Sequence, residues 1–148
     1  MATYCRQWVV DYAILTKELY VVVGKYQPNV IEWTEKMEEC FNKLKAALST
    51  APAVGLPDYK MLFFLYSHET KGFAQAVLTQ SHGDRQRPRA YLSQRLDPVE
   101  CGLPLCLQAV AVASYAVKRT AEIVMGRPFT LRVPHCVAAL LMQKQTST

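Results

Sequence analysis

The sequence predicts an α/β fold: two leading helices, then elements in the order strand, strand, strand, helix, strand, helix. Three observations carry this. Met61–Gln80, MLFFLYSHETKGFAQAVLTQ, joins two apolar runs through a polar segment containing Gly72, the pattern of an antiparallel hairpin. A helix is expected from Pro104 to about Glu122, with Leu107, Val110, Ala111, Val112, Ala113, Ala116 and Val117 making it apolar nearly all round, as a helix is when it packs on a sheet and on another element. Phe129–Val133 alternates apolar and polar residues, a strand with one solvated face.

In chain order, Trp8, Tyr12, Leu15 and Leu19 follow the i, i+4, i+7, i+11 spacing of one amphipathic helix over Tyr4–Leu19. Tyr20–Val23 is β-branched and runs into Gly24 and Pro28, so it is a linker or a short strand. Thr34 is an N-cap for a second helix with Glu35 and Glu38 in its first turns and an apolar face of Met37, Cys40, Phe41, Leu44 and Leu48. That helix should end near Ser49–Thr50, because Pro52 cannot continue it. Met61–Tyr66 is expected as a strand buried on both faces, Ser67–Gly72 as the turn, and Phe73–Gln80 as the returning strand. Arg87–Ser93 is a third strand whose Pro88 suits an edge or a strand start. Asp97-Pro98-Val99-Glu100 has the acid, proline and glutamate of a helix start, Gly102 interrupts it, and Pro104 begins the long helix. Pro134-His135 opens a last helix through Met142, followed by a polar tail.

The 148 residues suffice for one core, divided into a helical lead-in over 1–58 and a sheet domain over 59–148. No stretch is long and apolar enough for a membrane span, and the N-terminus lacks a signal peptide's pattern, so an intracellular location is expected. Five cysteines at irregular spacing and three histidines form no zinc motif, which predicts reduced, mostly buried thiols and no metal. The net charge of +5 is uneven: residues 1–58 carry −1 and residues 59–148 carry +6. Arg85, Arg87, Arg89 and Arg95 are the densest piece. They fit contact with a polyanion such as a nucleic-acid backbone, or equally a solvated edge that discourages sheet-to-sheet association.

Three antiparallel strands, a crossover helix and a further strand match the start of the ribonuclease H-like fold. Particular strings go further. TAPAVGLPDYK, FFLYSHETKGFAQAVLTQ, RPRAYLSQRLDPVECGLPLCLQAVAVASYAV and MGRPFTLRVPHCVAAL together resemble the connection (tether) domain of a gammaretrovirus-type reverse transcriptase, exogenous or endogenous. YCRQWVVDYAILTKELY is similar to the end of the preceding thumb, and WTEKMEECFNKLKAAL to the helix before the tether sheet. The resemblance covers nearly the whole chain in order.

It also bears on catalysis. In related gypsy-type retrotransposons the equivalent domain is a working ribonuclease H, with a TDxS strand end, a glutamate early in the crossover helix and a TDH after the fourth strand. Such carboxylates hold two divalent metals about 4 Å apart on the scissile phosphate. Laid on this sequence, those positions fall on His68, Gln108 and Pro134. A neutral imidazole, an amide and a proline ring do not supply the charge that holds Mg²⁺. The resemblance therefore implies a degenerate nuclease without cofactor. The polymerase acid pair and the integrase motifs are also missing, as expected of a fragment or remnant of pol.

Two functional readings stand. One is a non-catalytic tether that spaces polymerase and ribonuclease H, touches an RNA–DNA hybrid or other nucleic acid through its backbone, and packs on other pol domains. The other is a domesticated host module for protein–protein contact. The resemblance further implies that 59–148 lacks the fold's last strand, leaving Phe129–Val133 with an open flank. Either Tyr20–Val23 covers it or a second copy does, as a homodimer.

Overall fold

Phe63–Thr70 (β1), Phe73–His82 (β2), Arg85–Arg95 (β3) and Phe129–Arg132 (β4) form one sheet in the spatial order β3-β2-β1-β4. The computed structural model describes residues 3–23, 30–50 and 54–143; the readings at Gly24, Pro28 and Pro52 and of the tail beyond 143 lie outside them. β1 and β2 pair antiparallel, as do β2 and β3, while β4 lies parallel to β1 with Phe63 opposite Phe129. The mixed α/β sheet is the predicted one, with Leu105–Val124 (α4) as the crossover. A parallel pair needs such a connection, because a tight turn can only reverse the chain.

One face of the sheet holds the core. Phe63, Leu65, Ala76, Leu78, Ala90 and Leu92 meet Ala116 and Val124 of α4 there. A second cluster on the same side joins Ala74, Leu96 and Val112. β1 is not buried on both faces as the apolar run suggested. Phe63, Leu65 and Ser67 are buried, whereas Tyr66 and His68 are exposed, because only the α4 side has a helix over this strand. The hairpin is also longer than its polar segment implied. Ser67–Thr70 stays in the ladder up to the Thr70–Phe73 pair, and Lys71 and Gly72 alone make the turn. Their φ values of 50° and 80° are those a two-residue primed turn requires. His68 thus pairs with Gln75 inside the strand instead of standing at a tip.

The opposite face is covered by the N-terminal segment over β2 and β3. The single helix read over Tyr4–Leu19 is broken into a 3-10 turn at Tyr4–Trp8 and a helix at Tyr12–Val21 (α1). Asp11 between them takes a left-handed φ of 57° and accepts a hydrogen bond from the Gln75 side-chain amide. The break rotates Trp8 outward and puts Val9 in the core with Tyr12. Sequence spacing could not reveal this, since the anchor lies 64 residues away. Tyr20 and Val21 finish α1, so Tyr20–Val23 forms no strand and does not cover β4. β4 keeps an unpaired flank among the described residues.

Thr34 caps Glu35–Ser49 (α2) as expected, accepting from the Met37 amide at 3.3 Å. Of its apolar face only Leu44 is buried, against Val9 and Tyr12; Phe41 and Leu48 remain exposed. The thiols also depart from expectation: Cys5, Cys40 and Cys106 are half-buried and Cys101 and Cys136 exposed.

Pro98–Cys101 (α3) starts with the predicted capping box. The Glu100 amide donates to Asp97 Oδ1 at 2.7 Å and the Asp97 amide to Glu100 Oε2 at 3.0 Å. Asp97→Ala should lower stability by about 1 kcal/mol, the ordinary worth of a cap. Urea denaturation measures it, and an unchanged midpoint would mean the box adds nothing here. His135–Gln143 (α5) follows β4 and packs on α4.

Candidate nucleic-acid interface

The four arginines singled out in the sequence do not form one patch. Arg85 and Arg95 sit at opposite ends of β3, an 11-residue strand, so roughly 30 Å of backbone separates them. Arg85 and Arg87 flank the β2–β3 turn at Gly83–Asp84 and are exposed. Arg89 is different. The register slips between Leu78 and Thr79, leaving Arg89 as the extra residue of a bulge, which re-aims its side chain. Its Nε donates at 3.0 Å to Oε1 of Gln80, a fully buried amide. A Cβ on Gly55 would lie 1.9 Å from Arg89 Nη1, so glycine is needed for that guanidinium to lie where it does. Arg89 is thereby part of the scaffold. Arg95 lies at the far end, its side chain without a hydrogen bond or ion pair among the described residues, and faces a cavity beside α1.

Gln80 was invisible as a candidate in the sequence. Its Oε1 also accepts from the Asp58 amide at 2.9 Å, and its Nε2 donates to the carbonyls of Asp58 at 2.7 Å and Met61 at 3.3 Å. It ties the segment entering β1 to the middle of the sheet. The available signal was an amide that strand alternation puts on the core face, in line with Leu78 and Ala76.

The three positions that the resemblance sets against metal ligands lie in separate parts of the fold: His68 in β1, Gln108 in α4 and Pro134 between β4 and α5. His68 is exposed on the β1 face away from α4, and alternation gives Ser67 the buried, α4-facing place. Ser67 Oγ has no hydrogen-bond partner among the described residues. Glu69, next along, is held in the turn: its Oε1 accepts the Gly72 amide at 2.6 Å. Gln108 is buried in the first turns of α4, and its Nε2 donates to the carbonyls of Cys101 at 2.9 Å and Leu103 at 2.8 Å. Pro134 is exposed between β4 and α5. Among the described residues no cluster of three or more His, Cys, Asp or Glu side chains is placed to hold a metal ion.

The comparisons with known proteins agree with this architecture. Residues 33–131 match the model of the RNase H-like domain found in reverse transcriptase. The Pol polyprotein of Feline endogenous virus ECE1 is 42% identical over 142 residues, covering 96% of this chain and 13% of that protein. The chain therefore spans about an eighth of that relative's length. Among solved structures, the foamy viral protease-reverse transcriptase in complex with dsDNA superposes with a TM-score of 0.81, at 17% identity, over 95% of this chain and 29% of that one. The same foamy viral enzyme in complex with RNA/DNA hybrid gives 0.75, at 17% identity, over 88% and 18%. At such identity the structures speak for the fold, while the matched family speaks for descent: this chain is similar to a region of retroviral Pol polyproteins and belongs to the RNase H-like domain family found in reverse transcriptase.

Proposed function

We propose that the domain is a non-catalytic connection module, which spaces the polymerase and nuclease parts of a reverse transcriptase and touches the template–primer backbone. The observation that carries this is the fate of the three aligned positions. His68 faces away from α4, Gln108 spends its amide on two backbone carbonyls, and the Pro134 side chain has no ligand atom. Two-metal hydrolysis needs convergent carboxylates, and these residues supply none. Backbone contact is supported by the foamy viral relatives of this fold, which were captured on dsDNA and on RNA/DNA hybrid, and by the net +6 of residues 59–148. The exposed pair Arg85 and Arg87 at the hairpin end is the part of the arginine set free to meet phosphate. Arg95 belongs to a different surface, and Arg89 to the scaffold.

The test is titration of an RNA–DNA hybrid at several salt concentrations. Affinity should fall steeply with salt. Changing Arg85 and Arg87 together to Ala should flatten the slope by up to about 0.9 for each phosphate that is no longer neutralised. In Mg²⁺ or Mn²⁺ the hybrid should stay intact. Cleavage abolished by EDTA would overturn the non-catalytic reading. No salt-dependent binding would instead favour the interaction-module reading, for which the flank of β4 left unpaired among the described residues and the exposed Tyr66 offer a surface.

A further inference from the structure

A cavity of about 340 Å³ lies between α1 and the end of β3. That is within the size range of small-ligand sites, roughly 300–1,000 Å³. Its walls include Arg6, Lys17 and Arg95, and among the described residues no carboxylate lines it. Arg6 comes from the 3-10 turn, Lys17 from α1 and Arg95 from β3, so the tertiary fold brings together three cations that are remote in sequence. Like charges held close repel unless something neutralises them. Lys17 has only a loose, exposed pairing with Glu18 at 3.6 Å. Arg95 has no partner among the described residues. Arg6 is fixed in place by donating from Nη2 to the Ser93 carbonyl at 3.0 Å, which leaves its remaining N–H groups available.

Three aromatic residues, Tyr12, Tyr20 and Phe73, share the rest of the lining with Ala13, Thr16, Ser93 and Gln94. Tyr12 is 4% exposed, Phe73 is 7% exposed, and Tyr20 stands at the more open side. Burial, the largest influence, raises the Tyr12 hydroxyl above its usual pKa, so it stays a neutral donor at physiological pH. The frame around the cavity is rigid. The Ala13 amide donates to Ser93 Oγ at 2.9 Å and Asp11 is tied to Gln75, which docks the start of α1 on the sheet. Asp11 is outside the lining, and its carboxylate is engaged by that amide.

We propose that this cavity binds a phosphate ester carrying a flat ring, that is, a nucleotide. Its phosphates meet Arg6, Lys17 and Arg95, and its base lies against the tyrosine and phenylalanine rings. Planar guanidinium groups match phosphate oxygens in pairs, and aromatic side chains stack with any base, so the cations and the rings of the lining fit the two parts of one ligand. The phosphate can belong to a free nucleoside triphosphate or to the terminal nucleotide of a strand. The site is independent of the tether reading, because Arg85 and Arg87 lie at the other end of β3.

The 148-residue chain is titrated by calorimetry in low salt with ATP, with pyrophosphate, and with a short single-stranded oligonucleotide with or without a 5′-phosphate. ATP should bind saturably and more tightly than pyrophosphate. Arg95→Ala should weaken it about tenfold, as removing one charge-assisted hydrogen bond does, and Lys17→Ala severalfold. Both side chains project to solvent or cavity and leave the fold intact, which the melting curve checks. Arg87→Ala should leave ATP affinity unchanged. Displacement of ATP by the 5′-phosphorylated strand but not the unphosphorylated one identifies a strand end as the ligand; no displacement by either identifies the free nucleotide. The proposal is overturned if neither ATP nor the phosphorylated strand binds saturably. It is also overturned if their binding is indifferent to both Arg95→Ala and Lys17→Ala. Loss of hybrid binding in the Arg85 and Arg87 variant, with ATP binding retained, would separate this site from the tether surface.

Discussion

Gln80→Leu should destabilise the domain by roughly 3 kcal/mol, although it replaces a buried polar side chain by an apolar one of similar size. The gain from burying a leucine is set against the partners that are stranded. Four hydrogen bonds end on this one amide: from the Asp58 amide, from Arg89 Nε, and to the carbonyls of Asp58 and Met61. Gln80 is fully buried, so water does not replace it readily. Each buried group left without a partner costs about 1–3 kcal/mol, and the Arg89 Nε is charged, which puts it toward the upper end. For a chain of this length, 3 kcal/mol corresponds to a fall in Tm of roughly 6–12 °C. Arg89→Ala on its own should cost less, since it strands only the Gln80 oxygen, which still accepts from Asp58. Differential scanning calorimetry of both variants makes the comparison. A Gln80→Leu protein as stable as the parent would show that the segment entering β1 is held by its apolar contacts alone.

The case of Gln80 also shows what a sequence discloses and what it withholds. The sheet order is readable because its signals are local. Lys71-Gly72 and Gly83-Asp84 mark two turns, Pro88 marks an edge, and the Asp97–Glu100 box and the apolar α4 mark a crossover. Periodicity misleads where tertiary contacts override it. Asp11 breaks the first helix because Gln75 holds it, and no periodicity within Tyr4–Leu19 encodes a contact with β2. The apolar character of Phe64 and Tyr66 points to burial on both faces of β1, yet their side of the sheet lies beyond the cover of α1. The candidate site divides in the same way. The aligned positions His68, Gln108 and Pro134 can be located by resemblance, but the engagement of Gln108 with two carbonyls is a fact of the α3–α4 corner. The arginines look like a cluster because they are close in sequence. A strand spreads neighbours along its length, and a bulge of one residue turns Arg89 into structure. Arg6 and Lys17, in contrast, are not legible as partners of Arg95, because only the docking of α1 on β3 brings them together.

Gln108→Glu, which places an acid where the resemblance to working retrotransposon ribonucleases H sets one, should damage this protein. The Gln108 amide nitrogen donates to the carbonyls of Cys101 and Leu103, and the side chain is buried. A carboxylate has no hydrogen to give. It would set an anion against two carbonyl dipoles in a site with little access to water, while both carbonyls lose their donor. The cost should be roughly 2–4 kcal/mol at pH 7.5. Burial and the two facing carbonyls both oppose the charged form, so the introduced carboxyl would titrate above its unfolded value of about 4.3. With a raised native pKa, the folded state retains the proton that the unfolded state releases. The deficit is therefore smallest below about pH 4.3 and grows as pH rises through the native pKa. The introduced acid, once protonated, can donate to one of the two carbonyls, which is why the loss is partial at low pH. Gln108→Leu supplies the control: it strands the same carbonyls without a titrating group, so its deficit relative to the parent should be flat with pH. Denaturation of the three proteins at pH 4.5, 6 and 7.5 measures the differences. If Gln108→Glu matches the parent at pH 7.5, the α3–α4 corner tolerates an acid and loses its weight as evidence for a non-catalytic domain. If its deficit fails to grow with pH, the carboxyl has found a donor or reached solvent. The expected result is a corner whose geometry is built around an amide donor and does not accommodate a carboxylate at Gln108.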